Sequence, residues 1–281
     1  MAESVPPDEE LSRPAPLGVP DRLAPGPAET RSAKVSEALS FAFDDKRSLL
    51  VGGLWLLVPI AGFLAIQGWA AEAQHRLLMN HPDPVPRLSF RDFAHYARRG
   101  GPAALIEAVG FGVFWALAVG LFGLLNASLL AAGLVAGSVV VPLAVLCAGL
   151  AVALTLLGMV TVVFNAMLTR AELTERLADA AALGEAWREA RPMRRKTFVT
   201  YLLYVPVTLA LLIFGSALCG VGVLPALVAV KLTGAHLRFQ LYQQRLARGG
   251  SALPACAPRA LPSERHQIGR ASCRERVSSL V

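Results

Sequence analysis

Three tracts of the chain, Ser48–Ala71, Ala103–Thr169 and Thr197–Val230, span 125 of its 281 residues and hold one charged side chain, Glu107. At the chain-wide charged fraction of 17%, about 21 would be expected. A soluble domain, a disordered chain and a disulfide-framed module are all excluded by tracts this long and this free of ions. In hydrocarbon every backbone N–H and C=O must be satisfied within the chain, so the tracts must be helical. The expected fold is therefore all-α: a polytopic transmembrane bundle of about five (5–6) membrane helices with three interfacial amphipathic helices.

The breakers divide the tracts. Ser48–Ala71 carries Gly52, Gly53 and a central Pro59, which predicts a kinked crossing, with Trp55 and Trp69 as interfacial anchors. Ala103–Thr169 is too long for one helix. Gly120, Gly123, Asn126, Gly133, Gly137 and Pro142 suggest crossings over about 103–125 and 140–169, joined by a small apolar hairpin or half-helix near 127–138. Gly133 and Gly137 also fit a small-xxx-small helix contact. The last tract continues to about Gln243 and divides at Gly215–Leu224, where Pro225 opens a return helix in its first turn.

Each tract is preceded by an amphipathic segment and a basic cluster. Val35, Leu39 and Phe43 recur at helical spacing in residues 33–47. Ser89 and Asp92 form a capping pattern ahead of a short helix ending in Arg98-Arg99-Gly100. Leu173, Leu177, Ala180, Gly184 and Trp187 stripe a helix over 172–190, closed by Arg191, Arg194, Arg195 and Lys196. The first and third units also share Val58-Pro59 and Val205-Pro206, a weak symmetry of the kind found in transporters. Any polytopic chain that alternates basic loops with apolar spans shows a similar rhythm.

The formal net charge of +7 sits mostly at tract ends. No aromatic-basic binding motif accompanies the arginines, so they read as orientation signals rather than a nucleic-acid site. Loop 72–101, loop 170–196 and the tail after Val230 are expected to face the cytoplasm, which requires an even number of crossings between them. The N-terminal flank (Arg31, Lys34, Lys46, Arg47) is basic too, in conflict with a single crossing at Ser48–Ala71. Either that block dips in and out at Pro59, or its N-terminus lies outside despite its charges.

The expected domain plan is a disordered Pro-rich tail over 1–32, one transmembrane helical domain over 33–243, and a disordered tail over 244–266. The run Ile268-Gly-Arg-Ala-Ser-Cys-Arg-Glu-Arg-Val277 resembles the translation of a sequencing-library adapter. Residues 267–281 are accordingly set aside as probable artefactual sequence.

Further short motifs carry a family resemblance. These are Phe43-Asp-Asp-Lys46 before Gly52-Gly53, Pro86-Arg-Leu-Ser-Phe-Arg-Asp-Phe93 followed by Arg99-Gly100, Glu172 to Glu185 after a long span, and Ala235-His-Leu-Arg-Phe-Gln-Leu-Tyr242. Over about residues 33–243 the chain resembles the prokaryotic membrane-protein family catalogued as domain of unknown function 4013. The resemblance implies a multi-pass protein of the bacterial or archaeal cell membrane and brings no activity or catalytic residue with it.

Ionisable and polar groups at membrane depth are the candidate site: Glu107, Asn165, Lys231 and His236. Glu107 and Lys231 either reach separately to an interface or form a buried ion pair that fixes the bundle. His236 and Gln240 share a helix face, whereas His75 and His81 read as surface residues. Neither a catalytic constellation nor metal-ligand spacing is evident, so no enzyme activity and no cofactor are expected. The expected partner is the lipid bilayer, through anionic headgroups at Arg98, Arg99, Arg191, Arg194, Arg195 and Lys196. An accessory, scaffold or lipid-organising role follows. The alternative is a small-solute transporter with a polar path along Glu107, Asn165, Lys231 and His236.

Overall fold

The computed structural model describes residues 33–81, 83–136, 140–218, 220–255 and 261–263. The expectations for the N-terminal tail, for residues 267–281 and for the side chains of Gly133 and Gly137 lie outside the described residues. Among the described residues ten α-helices run in the order α1 (Val35–Phe43), α2 (Lys46–Trp55), α3 (Pro59–Leu78), α4 (Phe93–Arg99), α5 (Gly101–Ala136), α6 (Val140–Thr174), α7 (Leu177–Ala180), α8 (Leu183–Ala190), α9 (Arg194–Ala217) and α10 (Val223–Ala247). Among the described residues there is no strand.

The first apolar block is two helices rather than one kinked span. Asp45 caps α2 by accepting from the backbone N–H groups of Arg47 and Ser48. The chain then turns at Leu56–Val58, and Pro59 takes the first position of α3, where its missing N–H costs nothing. At ten residues, α2 is about 15 Å long, half a hydrocarbon core. It runs back along α3: Gly62 lies against the Trp55 carbonyl and Gly52 against Ile66. Lys46 and Leu78 therefore sit at the same end of a helical hairpin. Leu54, Leu57, Val58 and Ile60 leave its turn with an exposed apolar tip.

Trp55 and Trp69 are buried in the core beside Ile66 and Leu232, not placed at an interface. The Trp69 indole N–H donates to the Pro86 carbonyl at 2.8 Å, which satisfies its polar end in the interior.

The long tract folds as a second hairpin. α5 continues through Gly120, Gly123 and Asn126 to Ala136, past the expected end near residue 125. A helix in apolar surroundings keeps its internal hydrogen bonds even over glycine, and the Asn126 amide donates to the Phe122 carbonyl one turn back. A third hairpin, α9–α10, has Gly220–Gly222 in its turn, with a positive φ of 77° at Gly220. Pro206 lies inside continuous α9, whereas Pro59 opens α3. The two Val-Pro pairs thus occupy different structural positions, and the internal symmetry they suggested does not extend to their roles.

Among the described residues three stretches are long and apolar enough to cross a membrane: Gly101–Ala131, Leu143–Thr174 and Leu183–Ala217. Almost none of the apolar surface of the first two is covered within the molecule. By contrast, α3 and α10 are buried over much of their length and carry polar residues inward: Gln67, Glu72, Gln74 and His75 on α3, Thr233, His236 and Arg238 on α10.

The amphipathic segments also depart from simple expectation. α1 packs Ala38, Phe41 and Ala42 inward, near α10, and leaves Phe43 exposed, so its inner face is offset from the Val35–Leu39–Phe43 stripe. The segment 172–190 is broken: α6 runs on to Thr174, Glu175 adopts φ 54°, and α7 and α8 follow as short pieces. The tail beyond Gln243 is ordered in part. α10 reaches Ala247, and Leu253 and Leu261 are buried. The Leu253 N–H donates to the Tyr242 hydroxyl, and Leu261 enters the main core cluster.

The hairpins touch closely at α3 and α4. A Cβ at Gly68 would overlap the Tyr96 carbonyl, and one at Gly100 the Leu64 carbonyl. Gly68→Ala is expected to lower stability by about 2–3 kcal/mol. Gly112→Ala, which meets nothing within 4 Å, should be neutral or slightly stabilising. Thermal unfolding of both variants in detergent checks the pair.

Candidate functional site

The polar groups of the interior form three connected clusters. The first joins α3, α5 and α10. The Glu107 carboxylate accepts from Lys231 Nζ through one oxygen and from the Gln67 amide through the other. The Lys231 ammonium also lies 5.3 Å from the centroid of the Phe63 ring, a cation–π distance. Both charged side chains keep 23% of their surface accessible, so the pair borders the packed interior.

The second cluster joins α6 to α10. The buried Glu172 carboxylate receives two bonds from the Arg238 guanidinium, Nε to Oε2 at 2.9 Å and Nη2 to Oε1 at 2.5 Å. This parallel fork is the strongest form of carboxylate–guanidinium contact. Gln74 of α3 adds a third donor at 2.5 Å and also bonds the Ala235 carbonyl at 3.2 Å.

The third cluster lies at the same level of α3, on residues that flank Gln74. Glu72 is fully buried and accepts from Arg76 Nε at 3.0 Å and from Arg99 Nη1 of α4. Arg99 Nε lies 2.5 Å from the Glu175 carboxylate, beyond the end of α6. His75 bridges the same helices, with Nδ1 2.8 Å from the Ala71 carbonyl and 2.9 Å from Arg99 Nη2, and Nε2 3.1 Å from the Leu173 carbonyl. Arg170, at the same end of α6, pairs with Glu185 and Glu189 of α8, and Arg245 pairs with Glu189 at 2.8 Å.

The sequence-derived residues do not converge on one site. Glu107 and Lys231 meet. His236 stacks on Phe41 with ring centroids 4.4 Å apart and lies 3.1 Å from the Gln240 amide. Asn165 donates to the Thr161 carbonyl and lines a narrow slot of about 60 Å³ with Thr169, Thr197 and Arg238. Arg99 is buried in ion pairs and so is unavailable to a lipid headgroup, whereas Arg98, Arg191, Arg194 and Arg195 are exposed. His75, expected at the surface, is fully buried.

Glu72, Gln74, His75 and Arg76 belong to α3, which runs on to Leu78, and not to a loop beginning at residue 72. The signal available was the Glu72–Arg76 pair at i, i+4, which continues the helix by a further turn. Glu172 and Arg238 stand in the short motifs that carry the family resemblance, but spacing alone does not pair them. Among the described residues no group of three His, Cys, Asp or Glu side chains could hold a metal ion. The arrangement is an ionic lock between helices.

Compared with protein-family models, curated proteins and solved structures, the chain matches none.

Removing one partner of the buried fork leaves the other charge unpaired. Glu172→Gln is expected to destabilise by about 3–5 kcal/mol. Glu107→Gln or Lys231→Met, at the partly exposed pair, should cost only about 1–2 kcal/mol. The exchange Glu107→Lys with Lys231→Glu should recover at least half of that loss. A double-mutant cycle on thermal unfolding in detergent measures both.

Proposed function

We propose that the chain is a non-catalytic, multi-pass component of the cell membrane. Its basic end gathers anionic lipid, and it serves as an accessory, scaffold or lipid-organising protein. The observation that carries this reading is the distribution of charge. Interior ions are committed to one another, while Arg98, Arg191, Arg194 and Arg195 stand exposed. The basic segments also meet at one end of the bundle: Ser263 bonds Asp92, Arg99 pairs with Glu175, and Arg248 donates to the Met193 sulfur at 3.1 Å. Exposed guanidinium groups at one end, with bare apolar helices α5, α6 and α9 beside them, suit acyl chains along the helices and headgroups at the base.

On this reading the three hairpins, α2–α3, α5–α6 and α9–α10, supply five to six membrane-inserted helices. An even number then separates every basic segment, so the N-terminal flank, the loops and the C-terminus all face the cytoplasm, in keeping with the positive-inside rule. Membership of the domain of unknown function 4013 family belongs to the same proposal and is supported by the motifs quoted above. The transporter alternative draws no comparable support, because Glu107 and Lys231 pair with each other, His236 stacks on Phe41, and Asn165 lines a separate slot with Thr197 and Arg238.

The test is lipid analysis of the full chain purified from its native membrane. Phosphatidylglycerol or cardiolipin should be enriched over the bulk membrane in the wild type. The enrichment should fall toward the bulk ratio when Arg191, Arg194, Arg195 and Lys196 are all changed to Gln. Co-purifying lipid with the bulk composition in both proteins would overturn the reading.

A further inference from the structure

We propose that the cavity between α4 and the C-terminal segment is a binding site for a phosphate group of the kind an anionic lipid headgroup presents. The inference deepens the lipid reading above and rests on it. Arg91 stands in the 3-10 turn Phe90–Asp92 that leads into α4, and His95 and Arg98 follow one turn apart on α4 itself, so three nitrogen-rich side chains gather at the start of one helix. They line a half-open cavity of about 480 Å³ together with Pro102, Glu175 and Pro262.

The cavity is built from both sides. Below, Arg99 is held by Glu72 and Glu175, so the one carboxylate in the lining is already neutralised by a guanidinium. Above, the C-terminal segment is pinned in place. The Ser263 backbone N–H and hydroxyl donate to the two Asp92 carboxylate oxygens at 3.0 and 2.6 Å, and Leu261 is buried in the main core. Gly68 and Gly100 fix α4 against α3 from behind.

Two features of the lining ask for an anion with several acceptor oxygens. Arg91 and Arg98 are exposed, and neither has an acidic partner among the described residues. His95 Nε2 is closed to solvent and has no hydrogen-bond partner among the described residues, a group that a ligand reaching into the lining would satisfy. Two guanidinium forks around one opening match the tetrahedral oxygens of a phosphate better than the two oxygens of a carboxylate. Located where the basic segments gather, the opening can receive a headgroup whose acyl chains stay among the apolar helices.

The experiment uses the full chain in a non-ionic detergent, titrated separately with dihexanoyl phosphatidic acid and with inorganic phosphate. Saturable binding of the short-chain lipid is expected, weakened about tenfold by each of Arg91→Gln and Arg98→Gln. It should be largely kept in the Arg91→Lys, Arg98→Lys double variant. His95→Phe, which removes both ring nitrogens, should weaken it as well. Inorganic phosphate that binds as tightly and responds to the same variants would support the site while making its ligand a free phosphate rather than a lipid. Isotherms for both probes that are the same in wild type and in the Arg91→Gln, Arg98→Gln variant would overturn it. The two readings fail separately. Bulk lipid composition in the purified wild type with intact pocket binding sinks the lipid-organising role alone, and unchanged isotherms with intact enrichment sink the pocket alone.

Discussion

The structure depends on carboxylates and guanidinium groups that have left water together. Glu172 with Arg238, and Glu72 with Arg76 and Arg99, are charges whose separate burial would cost several kcal/mol each. They are affordable only in the registers that bring α3, α4, α6 and α10 into contact. Apolar helices alone have little preference among registers, because lipid tails are as apolar as leucine. The ion pairs supply that preference. A slide of α10 by one turn would leave Arg238 and Glu172 both buried and unpaired, so the bundle has one favoured alignment.

From this follows an inversion of the usual distribution of polarity. The most apolar helices, α5 and α6, lie outside and nearly bare, while the charged residues of α3 and α10 lie within. Each of the three hairpins contributes to the lock near one end and leaves its apolar remainder free. α5 adds Glu107, α6 adds Glu172 and Arg170, and α10 adds Lys231 and Arg238. The same end carries the exposed arginines, so structural and exposed charges are neighbours yet distinct: Arg99 is buried in the ion pairs of the fold, and Arg98, one residue away, remains exposed.

Composition made the helical class legible, since a tract of 67 residues with one charge, Ala103–Thr169, has no other stable form. The division of the last tract was legible too, because Gly220, Gly222 and Pro225 are strong local punctuation. Elsewhere the same punctuation misled. Gly120 and Gly123 do not end α5, because water is not there to compete for the backbone. Pro59 marks a reversal rather than a kink because Leu56–Val58 supply the turn. α3 runs past Glu72 to Leu78, although charge at a tract end ordinarily signals solvent. In this chain charge near a tract end instead marks the interior lock. The break at Glu175 follows from a left-handed backbone at a non-glycine residue, and the burial of Leu253 and Leu261 follows from tertiary contacts. Neither leaves a local trace in sequence.

The most direct measurement of the one-ended bundle is cysteine accessibility. In a chain whose native cysteines are replaced by serine, single cysteines at Ser36, Asp83, Gly184 and Ser251 would be labelled with a membrane-impermeant maleimide, in intact cells and in inverted vesicles. All four should be labelled from the same side, and only in the inverted vesicles. Labelling of Ser36 from the side opposite Asp83 would show that α2 and α3 do not form a returning hairpin, and would contradict the account.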